Sequence, residues 1–381
     1  MTSLLDKMAR RREELARGGL LRQRRCFAAA PGRERLLHPV AHATDNGKPL
    51  LDFAANDYLG LARHPKVISA LAKGAEIYGC GSGASPLVSG YSEAHLKLEQ
   101  GLCRALGAEA ALLFSCGFAA NTALMKTLFS AEDTVIADKL VHASMIDGLR
   151  DSKAKIRRFA HNDMAAATTL LARHPGSAVL TETVFSMDGD RAPLGKLSHL
   201  CQEHGSPLIL DDAHGFGLFE SSSLPVFARL VTFGKALGGQ GAAIVGSQEL
   251  IDYLVANARE YIYSTALSPA CCMGVLEALE LIQQEPLLER LNANIALFRR
   301  SCQVAGISLM PSESPIQPLL VGESDRCMAL AARLLERGFL VGAIRPPTVP
   351  KGSARLRITL SAEHREQDIL ALASALAELM A

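Results

Sequence analysis

The chain has 381 residues, 49% of them hydrophobic, with 31 glycines, no tryptophan and a formal net charge of +1 at pH 7. So even a charge balance argues against a general nucleic-acid binder, no uncharged apolar run is long enough for a membrane span, and the charged first ten residues do not read as a signal segment. Nine cysteines without a CxxC pair suit a reduced, cytoplasmic protein with neither disulfide staples nor a metal site.

The length exceeds one simple core, and the composition suits an α/β enzyme. The expected division is an N-terminal arm over residues 1–45, a large domain over 46–275 and a smaller C-terminal α+β domain over 276–381. In the arm, Lys7, Arg10, Arg11, Arg12, Arg17, Arg22, Arg24, Arg25, Arg33 and Arg35 face only four acids. That is a solvated basic stretch, of which one or two arginines could reach a carboxylate or an acidic carrier. Residues 51–60 read as a short strand ending in a turn. The apolar spacing of Val67, Ile68, Leu71 and Ala75 predicts a helix from about 65 to 78. Residues 79–84 match the loose pattern GxGxxA, but a helix precedes them and Pro86 follows, so a loop is expected and not a dinucleotide site.

Between residues 93 and 250, helical stretches alternate with apolar runs at 111–114, 134–137, 178–182, 208–210, 230–233 and 243–245. Such strands imply a parallel sheet covered on both faces, with ligands bound beyond the carboxyl ends. The residues after those ends are informative. Residues 115–121 make a glycine turn opening a helix, whose free N–H groups suit a phosphate. Asp138 and His142 follow the second strand, residues 185–189 the third, and Asp211-Asp212-Ala213-His214-Gly215 the fourth. The fifth leads into Thr232-Phe233-Gly234-Lys235. Lys235 is the only lysine between Lys196 and Lys351. An amine held among apolar groups loses its proton more easily, which makes it a candidate nucleophile or Schiff-base former, or else a lysine capping a strand end. It belongs to no Walker loop, since Arg229 stands where that loop needs a glycine. Past residue 250, leucine-rich helical runs lead to a β-like stretch at 355–360 and a closing helix.

A lysine that forms imines needs a group to use the imine, and pyridoxal 5'-phosphate fits this inventory part by part. Its phosphate would take the turn at Gly117 and Phe118 and the Thr232 hydroxyl. Asp211 would keep the pyridine nitrogen protonated, His214 could bond the phenolic oxygen, and His142 offers a ring to stack on the cofactor. Taken singly, each histidine could be structural, Asp211-Asp212 could cap a helix, and Asp-x-x-His could supply two metal ligands lacking a third.

Together with residues 56–60, 88–92, 142–144, 182–190, 263–265 and 343–350, these motifs resemble the α-oxoamine synthases. Those are fold-type-I pyridoxal phosphate enzymes that join an amino acid to an acyl thioester with loss of carbon dioxide, and the similarity runs from about residue 51 to the C-terminus. The resemblance implies a large domain with a mainly parallel sheet, a smaller C-terminal α+β domain and a homodimer. It implies that Lys235 bears the cofactor and moves the Cα proton, that Asp211 pairs with the pyridinium, and that His214 and Ser186 lie near the phenolic oxygen. His142 would stack on the ring, and Gly117, Phe118 and Thr232 would hold the phosphate, with Thr265 reaching in from a second subunit. Arg345 would take the amino acid carboxylate, with Thr348 and Asn56 nearby, and Arg22 would contact substrate, Arg24 and Arg25 being alternatives. The stretch Arg345-Pro346-Pro347-Thr348 points to the members that join L-alanine to a pimeloyl thioester, on an acyl carrier protein or coenzyme A, in biotin synthesis. Siblings that use glycine with a short acyl-CoA, or a long acyl-CoA, and a non-catalytic subunit keeping the fold are the alternatives. One departure is that only residues 215–234 separate the Asp-x-x-His motif from Lys235, with Glu220-Ser221-Ser222-Ser223 replacing part of a longer glycine-rich loop at the rim of the acyl-thioester entrance.

Overall fold

The computed structural model describes residues 3–18, 20–22, 24–29, 34–38, 49–220 and 223–380. Arg33, Ser221 and Ser222 lie outside the described residues. The chain forms two compact units, one of residues 56–292 and 312–314, the other of 1–55, 293–311 and 315–381.

The larger unit is built on a seven-stranded sheet. Its strands, numbered within the sheet, are β1 (Ala110–Phe114), β2 (Thr134–Asp138), β3 (Lys155–Phe159), β4 (Ala178–Glu182), β5 (Leu208–Asp211), β6 (Ala228–Thr232) and β7 (Ala242–Gly246). Their spatial order is β1-β7-β6-β5-β4-β2-β3. Every residue of β1, β4, β5 and β6 is buried, which is why these strands read as unbroken apolar runs. The pairs β2/β3, β2/β4, β4/β5 and β5/β6 are parallel, whereas β7 runs antiparallel to both β6 and β1. A mainly parallel sheet was the expectation, and the sheet is mainly parallel, with β7 the exception. The return from β6 to β7 spans only residues 233–241, shorter than the dozen or so residues a parallel crossover needs. Strand β3 has no counterpart among the sequence-predicted strands. It is an edge strand, and Lys155, Arg157 and Arg158 break its apolar pattern and blunt its free edge.

The helix Pro65–Tyr78 stands where the spacing predicts it, with Pro65 pre-setting its first turn. Of the predicted apolar face only Val67 is buried, while Ile68 and Leu71 stay exposed. Gly74 allows the close approach of the helix Pro269–Gln284, since a Cβ there would stand 2.7 Å from the Ala270 Cα. The loop over residues 79–85 is pinned by Ser82 Oγ donating to the Ala266 carbonyl at 2.7 Å and Ser268 Oγ donating to the Cys80 carbonyl at 2.9 Å.

In the other unit, strands Cys26–Ala29, Glu34–His38, Pro49–Asp52 and Phe339–Leu340 form one sheet, and Ile316–Gly322, Ala354–Thr359 and Gly342–Ile344 form another. This corrects the expected boundaries. Leu51 and Asp52 pair in parallel with Phe339 and Leu340, so the N-terminal stretch shares a sheet with the C-terminal one and makes no separate arm. The division near 292 falls within the helix Leu287–Val304, whereas residue 275 lies inside Pro269–Gln284. The first helix, Leu4–Arg17, starts on a capping box between Ser3 and Asp6 and buries no side chain. Among the described residues, no helix is long and apolar enough to cross a membrane.

Candidate active site

The carboxyl ends of β4, β5 and β6 and the loops beyond them open on a cavity of about 320 Å³. Lys235, Asp211, His214, His142, Thr232 and Asn56 all line it, as do Gly117 and Phe118. Lys235 sits on the turn after β6, between Phe233 and Leu237 in the sequence, both fully buried. The turn closes through the Gly238 N–H on the Lys235 carbonyl at 3.0 Å and the Gly239 N–H on the Phe233 carbonyl at 2.8 Å. Gly238 has φ +62, and a Cβ there would stand 2.1 Å from the Ala62 nitrogen, so glycine is required. Lys235 Nζ donates to Thr232 Oγ1 at 3.0 Å.

Asp211 ends β5 and is 3% exposed. Its Oδ1 accepts the Ala213 N–H at 3.0 Å and its Oδ2 accepts Asn121 Nδ2–H at 2.7 Å, an arrangement that suits a carboxylate. The second Asn121 N–H donates to Ser144 Oγ at 3.0 Å, and Ser144 Oγ lies 2.7 Å from His142 Nδ1. The Ser144 backbone N–H also points at Nδ1, which makes that nitrogen the acceptor and leaves the imidazole proton on Nε2. A continuous chain of bonds thus ties the aspartate to the exposed His142 ring. On the other side, Tyr58 Oη lies 2.6 Å from His214 Nδ1, and both residues are buried.

At the far wall the helix Gly117–Leu128 starts at Cys116 without a side-chain cap, so its first N–H groups are open to an anion. A Cβ on Gly117 would stand 2.6 Å from Thr232 Cγ2, so the missing side chain leaves the space beside the threonine. Open N–H groups, a lysine, an exposed imidazole face and a buried carboxylate with two donors fit pyridoxal phosphate: the first would hold its phosphate, the last its ring nitrogen.

Glu182, at the end of β4, also lines the cavity. Burial and then the charge of Asp211 push its carboxyl well above the usual carboxylate range, against the pull of Lys235. Beneath the turn over residues 185–189, His161 bridges Asp138 Oδ1 at 3.0 Å and Asp190 Oδ2 at 2.7 Å. Burial opposes its protonation, yet the two carboxylates carry its pKa up to about 9.

The model of the aminotransferase class I and II family matches residues 48–376. A protein of Saccharophagus degradans named 8-amino-7-oxononanoate synthase is 46% identical over 347 residues, covering 87% of each chain. The chain belongs to the 8-amino-7-oxononanoate synthase family. Among solved structures, the 8-amino-7-oxononanoate synthase of Francisella tularensis is similar at 30% identity and a TM-score of 0.75, over 86% of this chain and 97% of that one. A serine palmitoyltransferase variant from S. paucimobilis with PLP–myriocin bound is similar at 26% identity and a TM-score of 0.91, over 99% of this chain and 98% of that one.

In this 8-amino-7-oxononanoate synthase family member, Ser186 and Thr265 are not among the residues lining the cavity. Ser186 is half-buried in the turn after β4, and Thr265 is exposed beside the pinned loop. Arg22, Arg345 and Thr348 come together in the smaller unit. Arg22 Nη2 donates to Thr348 Oγ1 at 3.4 Å and Arg345 Nη2 to the Leu21 carbonyl at 3.2 Å. Sequence reasoning placed Glu182, Asn121, Ser144 and Tyr58 inside its motifs but gave none of them a role. A charged residue closing an apolar strand was the available signal for Glu182.

Proposed function

We propose that the chain condenses L-alanine with a pimeloyl thioester, using pyridoxal 5'-phosphate, to form 8-amino-7-oxononanoate, carbon dioxide and free thiol for biotin synthesis. The observation that carries this reading is that Lys235 and Asp211 line one cavity with a helix N-terminus in its wall. When bound, the cofactor supplies an electron sink next to the amino acid Cα. Lys235 Nζ would be its attachment point and, once displaced by the alanine amine, the base that takes the alanine Cα proton and later returns it. Asp211 holds a proton at the ring nitrogen. Gly117 and Phe118 donate backbone N–H groups, and Thr232 its hydroxyl, to the phosphate. His142 covers the ring and excludes water from one face, while His214 and Ser186 orient the phenolic oxygen. Arg345 binds the alanine carboxylate, with Asn56, Thr348 and Arg22 on the substrate side.

We further propose a cytoplasmic homodimer in which Thr265 of a second copy reaches the phosphate. In support, Val88 and Tyr263 are large apolar side chains left 78% and 72% exposed, and Phe118 is half exposed at the cavity wall. The nine cysteines are all free thiols, as a reducing compartment requires. A pimeloyl-loaded acyl carrier protein is the donor that the basic first helix suits, through Lys7, Arg10, Arg11 and Arg12.

The fit to serine palmitoyltransferase, at a TM-score of 0.91, favours a sibling reaction as the second reading. Free-thiol release decides between them. Alanine with pimeloyl thioester is expected to release thiol far faster than serine with palmitoyl-CoA or glycine with acetyl-CoA, and the reverse preference would move the chain to the sibling.

A further inference from the structure

Glu182 and Asp211 close neighbouring parallel strands as direct partners in the register, so their carboxyl groups stand side by side at one edge of the sheet. Each is 3% exposed and each lines the cavity. Two carboxylates sharing a dry site do not both carry charge. The donors decide which one keeps it. Asp211 accepts two N–H groups, from Asn121 and Ala213. Glu182 receives the His142 backbone N–H, and its buried Oε1 has no hydrogen-bond partner among the described residues. Asp138, at the end of β2, adds to the repulsion and Lys235 opposes it. An ionised Glu182 would also stabilise the ammonium form of Lys235, which is neither nucleophile nor base.

We propose that Glu182 is a positioning residue held as a neutral carboxylic acid, so that Asp211 is the single anion at its end of the cavity and Lys235 is free to lose its proton. The catalytic consequence rests on the pyridoxal phosphate reading above, while the protonation state does not.

The test is infrared difference spectroscopy of the full chain, wild type against Glu182→Gln, with and without pyridoxal phosphate, at about pH 8.5. At that pH Glu99, pushed by its burial up to about 7, is ionised and silent in the acid band. The wild type is expected to show the carbonyl stretch of a protonated carboxylic acid, absent from the variant. In the wild type alone the band should shift on 13C-glutamate labelling, which keeps the test valid if the variant misfolds. Glu182→Gln, neutral and of the same shape, is expected to keep its affinity for pyridoxal phosphate within about threefold. No acid band in the wild type, or a loss of affinity above about tenfold in the variant, overturns the proposal. A chain that bound no cofactor would still report the band, so failure of the cofactor reading is seen separately.

Discussion

Asn121 Nδ2 stands 2.7 Å from Asp211 Oδ2, inside a site where neither residue meets solvent. The bond orients the carboxylate, and through Ser144 the same amide reaches His142. Asn121→Ala removes a donor to a charged acceptor, an interaction of about 1.5–3 kcal/mol. The dissociation constant for pyridoxal phosphate, read by absorbance titration, is expected to rise about 10- to 100-fold. An unchanged constant would mean that the amide contributes nothing to the carboxylate's role.

Gly117→Ala is expected to weaken cofactor binding about tenfold, with the far-ultraviolet circular dichroism unchanged. The added Cβ, 2.6 Å from Thr232 Cγ2, displaces the threonine whose hydroxyl accepts from Lys235. Affinity equal to that of the wild type would show that the close approach has no part in binding.

His161 gives the fold a pH dependence of known sign. Its protonated ring is stabilised in the folded chain up to about 9, against about 6.5 in the unfolded chain. Its contribution is therefore complete below about pH 6.5 and is lost as the pH rises through about 9. Discounted for solvent screening of this partly buried group, His161→Gln costs about 1 kcal/mol at pH 6 and almost nothing above pH 9. Urea midpoints of both proteins across that range check it, and a gap that widens with pH would contradict the assignment.

Arg229 on β6 donates to Asp212 Oδ2 at 2.7 Å, with both side chains almost wholly buried. Arg229→Met leaves that carboxylate without its cation and is expected to cost about 3–5 kcal/mol. The readout is a large fall in urea midpoint, and a midpoint within error of the wild type would contradict it.

The strands that read clearly in the sequence were those buried on both faces, such as β4 and β6, because burial alone dictates their composition. Strand β3 escaped because an edge strand can carry Lys155, Arg157 and Arg158. The pairing of Leu51 with Phe339 escaped because nothing local records a partner nearly three hundred residues away, and with it went the expected domain boundaries. In the site, Lys235, Asp211 and His214 were legible because charged or titratable residues just past apolar strands stand out. Asn121, Ser144 and Tyr58 are ordinary polar residues whose significance lies in what they touch.

The central claim is that one amine, Lys235, holds the cofactor opposite Asp211. Borohydride reduction of the protein loaded with pyridoxal phosphate, followed by mass spectrometry of its peptides, tests this most directly. The pyridoxyl mass is expected on the peptide containing Lys235, and Lys235→Ala is expected to lose both the label and turnover. A label on another lysine, or a Lys235→Ala variant that still releases thiol from alanine and pimeloyl thioester, would contradict it.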